Sequence, residues 1–544
     1  MSKPASIARK YARKSAPAAP VATVRHMADF QPSAEQAAIL EFLQTPGSGN
    51  LFINAGAGCG KTTTCAWLLG YFEGSKFMGV FNREMRPEIE RKVSNDVMVR
   101  TISGLGWIAV SKRGKNNNFN NMRVWDGLKA GRGEAHVSER YAFYDNVVQL
   151  VGKAKGQLVH TVEGGLGDVA DRFGIDFNGE REEGLALVER ILASQIADTK
   201  YDCFDYDDMV WLCVVQNLAV PRFANVVIDE SQDLSPVQIA FVAMIIAAGG
   251  RIIAVGDRRQ AIYAWRGADE FAVDRIIEAF SMSERPLMTT FRCAKAIVRE
   301  AQKIVPEFTA GPNNPEGVVR TIDTGDMLDQ VREGDFVLSR TNAPLVSGCM
   351  RALARGIRAI VRGRDIGGQL AKMVTKTKAV TLVQLEERLT QWLAREVERL
   401  SKKIPVSEQA IETAQDKVAT IRAIADSEGV KNVADVVARL RKLFDLDKRD
   451  NAETEAADKL ADATRVVFSS THRAKGQERE TVFLLRDTYM RSRRGPGGVV
   501  IPPSLEEANL LYVAITRAKS ELVYAHGSFA DHRNALREMT SEAA

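Results

Sequence analysis

Cysteine is scarce in this chain and scattered along it. The six cysteines, Cys59, Cys65, Cys203, Cys213, Cys293 and Cys349, form no CxxC pair and have no histidine cluster beside them. That spacing argues against a zinc site and a disulfide framework, and a reducing, intracellular compartment suits it. There is no run of about 18 apolar residues, so no transmembrane helix and no membrane partner are expected. Acid is missing from residues 1–28, Asp29 being the first. Rich in Ala, Pro, Lys and Arg, this stretch reads as a flexible basic tail. A mitochondrial transit peptide is the competing reading, but the apolar face that its amphipathic helix needs is thin. An excess of one charge is lacking too: 74 Lys+Arg against 69 Asp+Glu leave +5. So small an excess permits a local nucleic-acid patch without demanding one.

What the chain does have is length and alternating pattern. Its 544 residues exceed one ordinary core and imply roughly two to four domains. Short apolar runs at Leu51-Phe52-Ile53, Val226-Val227-Ile228 and Ile252-Ile253-Ala254-Val255 each end in a polar or Gly-rich turn, as buried parallel strands do. Similar runs follow at Phe336-Val337-Leu338, Val466-Val467-Phe468 and Val482-Phe483-Leu484-Leu485. Both α/β stretches are interrupted. Residues 108–200 carry a polar run and then helical patterning, and residues 370–460 look almost wholly helical. There Leu385, Leu389, Trp392 and Leu400 share one helical face, Val433, Val437, Leu440 and Phe444 another, with Pro405 between helices. The mixed charges of this region read as a solvated face.

Two elements carry phosphate chemistry. Ala55-Gly56-Ala57-Gly58-Cys59-Gly60-Lys61-Thr62-Thr63 follows a strand and precedes the apolar helical run Ala66-Trp67-Leu68-Leu69. Small residues let backbone N–H groups curl around phosphate oxygens, and a helix N-terminus adds partial positive charge. Lys61 would reach the terminal phosphates and Thr62 would hold Mg²⁺. The second element, Val226-Val227-Ile228-Asp229-Glu230, sets two carboxylates at a strand end. Asp229 would hold Mg²⁺ through water, and Glu230 would orient and deprotonate an attacking water. A strand-end acidic turn capping a helix near Pro236 is the plainer alternative for this pair. Together the elements point to an NTPase and no further.

Longer words are more specific. Asp229-Glu230-Ser231-Gln232-Asp233-Leu234-Ser235-Pro236 resembles the DEXQD box of superfamily 1 DNA helicases of the UvrD/Rep type. The run Val255 to Ala268, containing Gln260, Tyr263, Trp265 and Arg266, resembles their motif III. Thr290-Phe291-Arg292 resembles motif IV, Ser470 to Glu478 motif V, and Glu507 to Ala518 motif VI, with Gln36 at the place of an adenine-reading glutamine. Phe81-Asn82 and Gly363-Arg364-Asp365-Ile366-Gly367 stand closer to the F-box DNA helicase branch and its phage and bacterial relatives. The sequence departs from the family at Ala55 (usually Gly), Thr290 (Asn), Phe291 (Tyr) and Gln477 (Leu). It departs again at Thr101-Ile102-Ser103-Gly104, where an aromatic and a histidine are missing.

The resemblance implies an α/β fold of two RecA-like P-loop domains with parallel sheets and ATP between them, each carrying a mainly helical insertion. The boundaries that fit are 29–107 with 201–295 for the first domain and 108–200 for its insertion. The second domain takes 296–369 with 461–544, and a reduced insertion takes 370–460. The resemblance further implies that Glu230, Gln260, Arg292 and Arg517 are catalytic. Gln36, residues 55–63, Phe291 and Glu478 would bind nucleotide, with Thr62 and Asp229 on the metal. An arginine finger can contribute roughly 10³–10⁵ in rate. Phe81, Asn82, Thr101, Tyr206, Tyr263, Trp265, Arg266 and His472 would contact DNA, the aromatic ones by stacking, with core packing the alternative for Tyr263. The acids Asp205, Asp207 and Asp208 read as a family helix start rather than a second metal site. The expected activity is ATP- and Mg²⁺-dependent unwinding, 3′ to 5′, on single-stranded DNA and single-strand/duplex junctions, alongside replication or repair proteins. That places the protein in the cytoplasm of a bacterial or phage-infected cell, or in the nucleus of a eukaryote. The alternative is a DNA-stimulated ATPase that translocates and strips proteins without efficient unwinding. A scaffold with a dead ATPase is disfavoured by the intact Lys61, Asp229, Glu230, Gln260, Arg292 and Arg517.

Overall fold

The computed structural model describes residues 27, 30–113, 118–159, 165–177, 179–198, 203–260, 272–401, 408–427, 429–444, 446, 462–490, 493–494 and 500–529. The chain divides into two compact units, Met1–Met288 and Thr289–Ala544. The sequence reading puts that boundary after residue 295.

The first unit is built on a six-stranded parallel sheet. Its strands are β1 (Leu51–Ala55), β2 (Lys76–Gly79), β3 (Val97–Arg100), β4 (Phe223–Ile228), β5 (Ile246–Gly256) and β6 (Ser283–Leu287). The spatial order is β3-β2-β4-β5-β1-β6. Every pairing is parallel, with Leu51 opposite both Ile253 and Ser283. The three apolar runs read from sequence are three adjacent interior strands, β4, β5 and β1, and Phe52, Ile53, Val226, Val227, Ile252 and Val255 are buried. Burial on both faces accounts for continuous rather than alternating hydrophobicity. In such a sheet the functional ends are the C-terminal ends, and here those ends carry the Gly-rich loop, Asp229–Glu230 and Asp257.

Helix α1 (Ala34–Gln44) precedes β1, and α2 (Lys61–Leu68) follows the Gly-rich loop. The interruption is helical, running from α3 (Ile102–Ser111) through α4 (Tyr141–Gly156) to α5 (Asp208–Val215), with a short pairing of Asn118–Phe119 against Cys203–Phe204. Its described buried residues join the core of the sheet: Tyr144, Val147, Leu150, Val188 and Trp211 belong to the same apolar cluster as Phe52, Val226 and Ile252.

The second unit repeats the plan with β7 (Val318–Asp323), β8 (Phe336–Ser339), β9 (Ala359–Val361), β10 (Val466–Ser470), β11 (Arg479–Leu485) and β12 (Ala518–His526). These are arranged β7-β12-β11-β8-β10-β9, again all parallel. Its helices include α6 (Ala343–Ala354), the insertion helices α7 (Arg364–Lys376), α8 (Leu382–Ser401), α9 (Glu408–Ala425) and α10 (Val433–Leu443), and α11 (Leu505–Ile515). Leu385, Leu389, Val418, Ile421, Val436 and Leu440 share one core with Val337, Phe468 and Phe483 of the sheet. On α10 it is Val436 rather than Val437 that sits deepest, because the helix is gripped from the α9 and α7 sides together. Pro405 lies outside the described residues. All six cysteines are free, and among the described residues no helix is long and apolar enough to cross a membrane.

Candidate nucleotide-binding site

The loop leaving β1 is shaped by glycine. Gly58 and Gly60 have φ of +70° and +80°, and Gly60 is the left-handed N-cap of α2. A side chain at either place is strained, which is why the turn can curl while presenting N–H groups. Ala55, Ala57 and Cys59 are fully buried, so the loop's side chains point inward and leave its backbone to face a ligand.

Around that loop the described polar groups converge. Thr62 Oγ1 donates to Asp229 Oδ2 at 2.5 Å. Lys61 Nζ lies 3.5 Å from Glu230 Oε1. Glu230 is held at φ +51°, a left-handed conformation for a non-glycine residue, and its N–H donates to Asp229 Oδ1 at 2.9 Å. Such a conformation costs on the order of 1–3 kcal/mol and tends to sit where geometry matters more than stability. Gln232 bridges onward: its Nε2 donates to Glu230 Oε2 at 2.5 Å, and its Oε1 accepts from the Asp257 N–H at 3.1 Å. Asp257 Oδ2 in turn accepts from Gln260 Nε2 at 2.7 Å. Gly256 makes this approach possible, since a Cβ there would fall 2.6 Å from Gln232 Oε1. Gln36 closes the other side. It forms a capping box with Ser33, and its Nε2 donates to Thr64 Oγ1 at 2.8 Å.

The electrostatics are those of a cation-deficient pocket. Burial, and then the neighbouring Glu230, push Asp229 up to about 6. Burial likewise raises Asp257. Burial pulls Lys61 down, but Glu230, Asp257 and Asp229 outweigh it and hold the ammonium above its ordinary value. A divalent cation beside Thr62 and Asp229 would supply the missing positive charge, so these residues fit Mg²⁺. Among the described residues no group of three or more His, Cys, Asp or Glu could hold a metal. The ion would therefore take its remaining ligands from phosphate oxygens and water, as Mg²⁺ commonly does.

In the second unit Phe291 and Arg292 follow a short strand pairing of Thr289–Thr290 with Thr309–Ala310. Asn314 fixes this turn by donating to the carbonyls of Thr290 (2.9 Å) and Cys293 (2.8 Å). Phe291 stays 53% exposed, a ring free to cover a flat ligand. Arg292 reaches Glu478 at 3.4 Å. Arg517, two residues beyond α11, is buried and donates to neutral groups: Val513 O (3.0 Å), Gln477 O (3.3 Å) and Thr516 Oγ1 (3.2 Å). Burial and the adjacent Arg292 lower it to about 10.

Residues 83–281 match the model of the UvrD/REP helicase N-terminal domain. The ATP-dependent DNA helicase PcrA of Bacillus subtilis is 22% identical over 331 residues, 54% of this chain and 43% of the relative. DNA helicase II of Escherichia coli is 32% identical over 85 residues, 15% of this chain and 12% of the relative. Over residues 83–281 the chain is thus similar to helicases of the UvrD/Rep type. It spans less than half the length of these curated relatives.

The DNA-contact candidates fall in different settings. Phe81 (55% exposed) and Asn82 follow β2, and Asn82 caps a short turn by accepting from the Met85 N–H at 3.0 Å. Thr101 is the N-cap of α3, accepting from the Gly104 N–H at 3.0 Å. Tyr206 is exposed and packs edge-on against Phe119 at 4.6 Å. His472 is buried in the turn after β10. Tyr263, Trp265 and Arg266 lie outside the described residues. The acids near Tyr206 serve charge pairing: Lys155 lies 2.9 Å from Asp205 and 2.8 Å from Asp208, and Arg123 lies 2.6 Å from Asp208. Sequence reasoning overlooked Gln232 and Asp257, the two links between Glu230 and Gln260. Both lie inside quoted motif words, so their positions were visible and only their partners were not.

Proposed function

We propose that this chain is an ATP-driven DNA helicase or translocase that binds single-stranded DNA and single-strand/duplex junctions and moves 3′ to 5′. One observation carries the reading: Lys61, Thr62, Asp229 and Glu230 converge at the Gly-rich loop, and Gln232 and Asp257 tie Glu230 to Gln260 of the motif III word. The loop and α2 bind the phosphates of ATP, Thr62 and Asp229 hold Mg²⁺, and Glu230 takes the proton of the attacking water. Bound Mg²⁺ neutralises charge on the phosphates. Gln36, Phe291 and Glu478 orient the nucleoside, and Arg292 and Arg517 act as arginine fingers, assigned from the motif words. Phe81, Asn82, Thr101, Tyr206, Tyr263, Trp265, Arg266 and His472 form the DNA track.

Strand displacement on duplexes carrying 3′ or 5′ single-stranded tails tests this. ATP-dependent displacement from the 3′-tailed duplex alone is the expected result. Translocation without efficient displacement would favour the second reading, a DNA-stimulated ATPase that strips proteins. That reading draws support from the reduced second insertion, whose described buried residues share the core of its sheet.

A further inference from the structure

Besides the apolar core that it shares with the sheet, the second insertion makes a polar contact with one short segment of it. Helix α9 presents Glu412 and Asp416, four residues apart and so on one face, to residues 340–343 at the C-terminal end of β8. Asp416 accepts from the N–H groups of Asn342 (3.0 Å) and Ala343 (3.1 Å) and from Asn342 Nδ2 (2.8 Å), standing at the N-terminus of α6 where a carboxylate is favoured. Glu412 lies 3.1 Å from Arg340 Nη2. The same guanidinium uses its Nε to reach Glu507 at 2.7 Å. Arg340 and Glu507 are nearly buried, while Glu412 is 30% exposed. The backbone beneath is fixed as well, the Arg340 N–H donating to Thr488 Oγ1 at 3.1 Å.

Glu507 is in the first turn of α11, and Arg517 follows the far end of that helix, about 12 Å of helical rise away. A guanidinium is planar and rigid, with donors in a fixed fork. One that spans two carboxylates on different elements therefore ties their positions together. We propose that Arg340 is a positioning residue through which the helical insertion sets the placement of α11, and with it Arg517. The insertion is then part of the ATPase control and not an appendage. This rests on the assignment of Arg517 as an arginine finger.

Steady-state ATP turnover of the full chain with saturating oligo-dT separates the cases, using E412Q, E507Q, the double variant and R517A, with a thermal melt of each. E412Q is expected to lower kcat roughly threefold to fivefold at unchanged KM for ATP, since the interaction set by Arg517 matters in the transition state. The double variant should be no slower than E507Q, because both carboxylates act through one arginine. Wild-type kcat in E412Q, with or without a lower melting temperature, would make the contact merely structural and overturn the proposal. So would losses that multiply in the double variant. If E507Q does not fold, R340K takes its place: lysine cannot bridge both carboxylates in fixed geometry, so adding E412Q to it should cause no further loss. Undiminished turnover in R517A would overturn the finger assignment, and this proposal with it. A large loss in R517A beside a silent E412Q would overturn this proposal alone.

Discussion

Replacing Asp229 with asparagine should stabilise the nucleotide-free protein at alkaline pH while removing its ability to use Mg²⁺-ATP. Asp229 is buried beside Glu230 and pushed up to about 6, against an ordinary value near 3.9. A group whose folded value is raised contributes stability at low pH and loses it as pH rises through that value. At about 1.4 kcal/mol per pH unit, the ionised carboxylate costs about 3 kcal/mol at pH 8. The cost falls to roughly half at pH 5 and nearly vanishes at pH 4. Asparagine is nearly isosteric: its oxygen can accept from the Glu230 N–H and its amide can donate to the Thr62 hydroxyl, so little packing is lost. For a unit of this size the gain corresponds to roughly 5–10 °C in melting temperature at pH 8. Calorimetry of wild type and Asp229→Asn at pH 8, 5 and 4, without nucleotide or metal, measures it. Equal melting temperatures at pH 8, or an advantage that does not shrink on acidification, would refute the reasoning.

Three other outcomes follow from single contacts. Lys155→Ala leaves Asp205 and part of the Asp208 charge buried without their ammonium, and should cost about 3–5 kcal/mol in a denaturant titration. Thr101→Ala removes the N-cap of α3 and should cost about 1 kcal/mol; single-strand binding of the same variant tells whether the hydroxyl also serves DNA. Phe291→Ala should raise KM for ATP about fivefold to tenfold with kcat unchanged, as loss of a stacking face does.

How far the sequence reveals this molecule depends on the range of each interaction. The central strands were legible because burial on both faces leaves uninterrupted apolar runs, as at Ile252–Val255. The edge strands were not: β7 (Val318–Asp323) mixes Arg320, Thr321 and Asp323 with its apolar residues, since much of it faces solvent. The Gly-rich loop and the Asp229–Glu230 pair announce themselves because their chemistry needs particular residues in adjacent positions. Their partnership, Thr62 with Asp229 across 167 residues, was legible only through the Mg²⁺ chemistry that both elements imply, because no local pattern links them. Lys155 with Asp205, or Arg340 with Glu412 and Glu507, leave no local trace, because any surface lysine or arginine looks the same in a sequence. The described buried residues of 108–200 and 370–460 merge with the cores of their sheets, which helical patterning alone does not reveal. Pattern reports which face of a helix is apolar and is silent about which partner covers it.

The central claim is that ATP is hydrolysed at the Lys61–Asp229–Glu230 cluster and that DNA drives the turnover. The direct measurement is steady-state ATP hydrolysis by wild type and Glu230→Gln, with and without single-stranded DNA, alongside nucleotide binding by both. The account predicts DNA-stimulated turnover in wild type, and a loss of at least about 100-fold in Glu230→Gln with nucleotide binding retained. Preserved turnover in that variant, or a wild-type rate indifferent to DNA, would contradict it.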